Sequence, residues 1–151
     1  MKTAWEKYNG KFDVIMDFCE DYKKYLDSSK TEREACKSAI ALAKKKGFKD
    51  GNTVKSLKPG DKIYFNNRDK AVVFFIIGKE KVEKGLNILG AHIDSPRVDV
   101  KQVPLYEDSG LVLLDTHYYG GIKKYQWVAH PMALHGVVCK KDVHLWVYTK
   151  N

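Results

Sequence analysis

Apolar residues return every three or four positions at the start of the chain. Trp5, Tyr8, Phe12, Ile15, Met16, Cys19, Tyr22 and Leu26 share one side of a helix, opposite Lys7, Lys11, Glu20 and Lys24. This predicts one amphipathic helix, broken at Ser28 and Ser29. Thr31 and Glu34 have the spacing of a capping box, opening a second helix through Ala35, Ala39, Ile40 and Ala43. Lys44, Lys45 and Lys46 fall in its last turn, where cations meet the negative end of the helix dipole, and Gly47 is the expected stop.

Beyond Gly60 the period changes. Residues 62–65 and 71–78 are rich in β-branched and aromatic side chains around Asn66-Asn67-Arg68-Asp69, which predicts a hairpin. Residues 86–93 read as a third strand, and the lack of strict alternation predicts cover on both faces. From about Pro104 helix signals thin out. Residues 111–116, 132–139 and 143–149 read as strands, separated by a loop rich in glycine and aromatics. The predicted order is helix, helix, strands, then the opening of an all-β segment, with no internal repeat.

Composition narrows the class. At 151 residues and 44% hydrophobic, the chain has length and apolar content for a packed core. Its longest uncharged apolar run, residues 71–78, is too short to span a bilayer, and the N-terminus has no apolar signal core. Cys19, Cys36 and Cys139 form no close pair and read as reduced thiols of a cytoplasmic protein. The net charge of +8 is concentrated in residues 1–60, with 14 basic and 9 acidic residues interleaved. A solvated helix surface accounts for that pattern, so neither nucleic acid nor membrane is the expected partner.

One stretch carries chemistry: Ile88-Leu89-Gly90-Ala91-His92-Ile93-Asp94-Ser95-Pro96-Arg97. On a strand, His92 and Asp94 point the same way. A neutral imidazole binds zinc through one nitrogen while a carboxylate accepts a hydrogen bond from the other, fixing the tautomer. One histidine does not make a zinc site, and His117, His130, His135 and His144 show no tight ligand spacing. Cys139 has no partner cysteine. Gly120-Gly121 reads as a tight turn or a close backbone approach, and Arg97, Lys101, Lys123 and Lys124 as solvated cations. There is no nucleophile elbow, Walker loop or dinucleotide fingerprint.

The run from Leu89 to Lys101, with Gly90-Ala91-His92-Ile93-Asp94-Ser95-Pro96-Arg97 at its centre, resembles the first metal-binding motif of the aminopeptidase I/aspartyl aminopeptidase family of zinc exopeptidases. His117-Tyr118-Tyr119-Gly120-Gly121-Ile122-Lys123-Lys124-Tyr125-Gln126-Trp127 and Pro131-Met132-Ala133-Leu134-His135-Gly136-Val137-Val138 are similar to the segments that follow, in the same order. The resemblance implies an α/β fold, a zinc-aminopeptidase-type mixed sheet with flanking helices, incomplete here, followed by the first strands of a β-rich dimerisation domain. The implied division is residues 1–103 for the catalytic part and 104–151 for the dimerisation part. His92 would bind one ion of a two-zinc centre, with cobalt or manganese as substitutes, and Asp94 would orient it. The family's remaining metal ligands and its general base match nothing in this chain. Implied partners are peptide substrates and further copies of the chain, joined through the β segment.

After Asp142 the resemblance fades, and Val143 stands where a turn glycine would suit. The expectation is therefore an N-terminal fragment of an aminopeptidase, inactive alone. The alternative is a non-catalytic oligomerisation or regulatory module derived from such an enzyme.

Overall fold

The computed structural model describes residues 2–142 and 144–148. The chain divides between Ile93 and Asp94 into two compact units. The first contains α1 (Ala4–Lys7), α2 (Phe12–Asp27), α3 (Glu32–Lys45), β1 (Lys49–Asp50), β2 (Lys62–Asn67) and β3 (Ala71–Ile76).

The single helix expected from Trp5 to Leu26 is two helices. Gly10 adopts a φ of +77°, a left-handed conformation that interrupts the helical path, and α1 stops at Lys7. The apolar face is present but open: Trp5 and Phe18 are 69% and 74% exposed. α3 follows its signals closely. Thr31 Oγ1 accepts from the Glu34 N–H at 3.3 Å, and Glu34 Oε2 accepts from the Thr31 N–H at 2.9 Å. Lys44 and Lys45 occupy the last turn, and Gly47 takes a φ of +86° just beyond it.

α3 buries Ala35, Cys36 and Ala43, small side chains that let it approach the sheet, where Ile63 and Tyr64 of β2 complete the core among the described residues. β1 runs parallel to β2, pairing Lys49 with Ile63. β2 and β3 are antiparallel, from Lys62 opposite Ile76 to Asn67 opposite Ala71. The predicted hairpin turn has Arg68 and Asp69 both at positive φ, which lets the chain reverse between the paired Asn67 and Ala71. Asn66 Oδ1 accepts from the Asp69 N–H at 3.1 Å, and Arg33 Nη1 donates to the Arg68 carbonyl at 3.2 Å, tying the turn to α3.

Residues 86–93 correct a prediction. They form no strand, and Ile88 and Leu89 are 81% and 102% exposed rather than covered on both faces. A buried central strand needs a hydrogen-bonding neighbour and a layer on each face. Among the described residues, no sheet takes this segment in.

The second unit contains β4 (Arg97–Asp108), β5 (Leu111–Tyr119), α4 (Lys124–Trp127), β6 (His135–Cys139) and β7 (His144–Tyr148). β4 and β5 form an antiparallel ribbon whose register breaks between Val100 and Leu105. Pro104 lies within that break, where its missing N–H costs no ladder bond. The ribbon turns at Ser109 and Gly110, both at positive φ. β6 pairs antiparallel with β7, Gly136 opposite Val147. Val143 and Thr149, the ends of the last predicted strand, lie outside the described residues. The mixed α/β class is as expected; β4 is a strand that the apolar pattern did not single out.

Candidate metal centre

Antiparallel pairing sets Arg97 opposite Tyr119 and Asp99 opposite His117. Side chains two apart on a strand share a face, and directly paired residues share it across the ribbon, so these four form a patch where β4 begins and β5 ends. Arg97 Nε lies 2.7 Å from Asp99 Oδ1, with both side chains about two-thirds buried or more. The guanidinium carbon sits 4.3 Å from the centroid of the Tyr119 ring, a cation–π contact. His117 Nε2 is 3.9 Å from Asp99 Oδ2, an ion pair when the imidazole is protonated.

The patch reaches the predicted site through Tyr119. Its hydroxyl donates to Asp94 Oδ2 at 2.8 Å, so the half-buried carboxylate is anchored to the end of β5. The same end is closed a second time. Gly120, at a φ of +75°, lies so near Pro96 that an added Cβ would stand 3.4 Å from it. Gly120-Gly121 is thus a close backbone approach, as its sequence allowed, and the backbone runs past Pro96 without steric cost.

His92 is exposed and lies in the non-strand segment at the end of the first unit, so strand geometry does not set its direction as predicted. The donor set fits zinc in kind: an imidazole, and a carboxylate of the type that orients such a ligand. It falls short in number, because among the described residues no three His, Cys, Asp or Glu side chains converge. The other predicted cations have local roles: Lys101 Nζ pairs with Asp115 at 3.0 Å, and Lys124 Nζ lies 3.9 Å from the Tyr118 ring centroid. A cleft of about 560 Å³ in the first unit, lined by Lys46, Lys49, Lys58, Lys62 and Asp61, includes neither His92 nor Asp94. No role for Tyr119 or Asp99 follows from the apolar pattern. The period-two pairs Arg97/Asp99 and His117/Tyr119, on either side of Asp108-Ser109-Gly110, are the signal that would have placed them.

Comparison with known proteins adds a family. The description "Aminopeptidase I zinc metalloprotease (M18)" belongs to a family model that matches residues 25–147, past Asp142, where the resemblance was expected to fade. A probable M18 family aminopeptidase 1 of Clostridium acetobutylicum is 50% identical over 146 residues, covering 93% of this chain and 31% of the relative. The Thermotoga maritima protein of the same name is 38% identical over 141 residues, again covering 93% and 31%. The crystal structure of aminopeptidase I from Borrelia burgdorferi B31 superposes with a TM-score of 0.88 at 42% identity, over 97% of this chain and 37% of that one. The chain thus spans about a third of the length of these relatives.

Proposed function

The chain belongs to the aminopeptidase I zinc metalloprotease (M18) family, and from that premise we propose that it is the first part of a zinc aminopeptidase, which removes N-terminal residues from peptides. The observation that supports this most is the 50% identity over 146 residues, a span that includes most of the chain and its His92-x-Asp94 motif. His92 supplies one zinc ligand and Asp94 orients its imidazole. His92 would hold one ion of a two-zinc centre in the complete enzyme, with cobalt or manganese as substitutes; metal bound there would supply Lewis-acid chemistry toward the scissile carbonyl and an acidified water. This chain's residues position a ligand and a carboxylate; among the described residues too few ligands converge to hold the metals alone.

The division we assign is a catalytic part over residues 1–103 and the start of a dimerisation part over 104–151. Its partners are peptide substrates and further copies of the chain through the β segment, with neither nucleic acid nor membrane among them. Three free cysteines support a cytoplasmic setting.

The test is a chimera that joins this chain to the remaining two-thirds of the Clostridium acetobutylicum relative. It is expected to release N-terminal residues in a chelator-sensitive way and to lose about 100-fold or more of that activity in His92→Ala. The chain by itself is expected to retain little zinc and to show no such activity. A chimera whose zinc content and rate ignore His92→Ala would refute the assignment of that ligand. Robust chelator-sensitive cleavage by the chain alone would refute its incompleteness.

A further inference from the structure

We propose that Tyr119 is a positioning residue: its hydroxyl holds the Asp94 carboxylate in the orientation from which it sets the tautomer of His92. The proposal rests on the assignment of Asp94 as the group that orients His92.

A carboxylate on a chain without regular structure rotates freely about its terminal bond. Asp94 lies in such a stretch, three residues ahead of β4, yet its Oδ2 accepts from Tyr119 at 2.8 Å. Such a hydrogen bond to an ionised acceptor is of the stronger kind. Tyr119 is itself held. It is the last residue of β5, opposite Arg97, whose guanidinium packs on the ring at 4.3 Å while Arg97 Nε pairs with Asp99 at 2.7 Å. Orientation therefore passes from the ribbon ladder to the ring and from its hydroxyl to the carboxylate. Gly120, next to Tyr119, leaves open the space beside Pro96 that a Cβ would enter at 3.4 Å.

The test is read on the metal-free chain, so that it depends on neither zinc loading nor catalysis. The tautomer ratio of neutral His92 is measured from its ring nitrogen shifts by NMR, at a pH about two units above the ordinary imidazole value. In the unmodified chain one tautomer is expected to dominate. Tyr119→Phe keeps the ring over Arg97 and removes only the hydroxyl. It is expected to move the ratio roughly threefold to tenfold toward that of free imidazole, and Asp94→Asn to move it in the same direction. In the Asp94→Asn background, Tyr119→Phe is expected to add nothing. A purely structural role for Tyr119 would disturb the β4–β5 amide signals and leave the His92 ratio alone.

A dominant tautomer that survives Tyr119→Phe overturns this proposal and leaves the assignment of Asp94 standing. A ratio that already equals that of free imidazole, unmoved by Asp94→Asn, overturns both. Should Tyr119→Phe not fold, the unmodified chain decides through its hydroxyl protons. Slow exchange at Tyr119 relative to the half-exposed Tyr106 supports the hydrogen bond, and equally fast exchange refutes it.

Discussion

Gly51→Ala measures how tightly the first sheet closes on the turn after β1. A Cβ on Gly51 would stand 2.3 Å from Phe65 Cζ and 2.6 Å from Cε1, a distance that side chains do not tolerate. Gly51 is not in the left-handed region, so alanine meets no backbone strain and gains about 0.4–1 kcal/mol from a less free unfolded chain. The clash is with the far edge of a ring that is 38% exposed, so the ring swings outward and the backbone stays. What the ring then gives up is the buried remainder of a side chain worth about 3 kcal/mol when fully covered, so about 1.5–2 kcal/mol is at stake. Its edge-to-face contact with Phe75, at 6.1 Å between centroids, adds about 0.5–1 kcal/mol. The net expectation is a loss of about 1–2 kcal/mol. Urea unfolding followed by circular dichroism reads it as a midpoint lowered by roughly 0.5–1 M with an unchanged slope. In a Phe65→Val background the obstacle is gone, and Gly51→Ala is expected to be neutral or slightly stabilising. An equal cost in both backgrounds, or none in the unmodified chain, would refute the steric account.

Two further perturbations address α3. Thr31→Ala removes the hydroxyl that caps the Glu34 N–H and is expected to cost about 1 kcal/mol in the same urea assay, with Thr31→Ser restoring most of it. Burial raises the pKa of the Cys36 thiol, with smaller contributions from Asp69 and Glu32. The unfolded chain ionises first, near the ordinary value of 9.0, so the folded state holds more protons from there up to its own raised value. Stability is therefore expected to fall as pH rises through that window, and to be unaffected by Cys36 below it. Urea midpoints measured against pH should lose this decline in Cys36→Ala and keep it in Cys139→Ala.

What could be read from the chain beforehand divides by the range of the interaction. Thr31 and Glu34 cap each other within one turn, and Asn66 and Asp69 close their hairpin within four residues, so both were legible. β4 was not. Pro104 and the charged positions Arg97, Asp99 and Lys101 obscure its apolar alternation, and it becomes a strand through pairing with β5. The run 86–93 failed in the opposite sense. Its apolar content asks for neighbours on both faces, but composition cannot say whether the same stretch of chain provides them. His92 and Asp94 stood out as a period-two pair on an expected strand; that strand does not form, and the family resemblance rests on the residues of the motif themselves rather than on their period.

The two halves of the His92-x-Asp94 motif differ in what holds them. Asp94 belongs to the second unit and is fixed there by Tyr119, whose ring is packed in turn by Arg97. His92 belongs to a segment that pairs with no strand among the described residues and whose Leu89 is fully exposed. Ordering backbone costs about 1–2 kcal/mol per residue, and a metal ligand must stand within about 0.5 Å of its productive place. The β4–β5 ribbon meets that cost around Asp94, whereas among the described residues no strand ladder orders the backbone of residues 86–93. With His92 assigned as a ligand, zinc retention by the chimera is expected to depend on what orders residues 86–93. Substitutions that pair or cover that segment are expected to change the chimera's zinc content per chain, read by elemental mass spectrometry, more than any substitution at Arg97, Asp99 or His117.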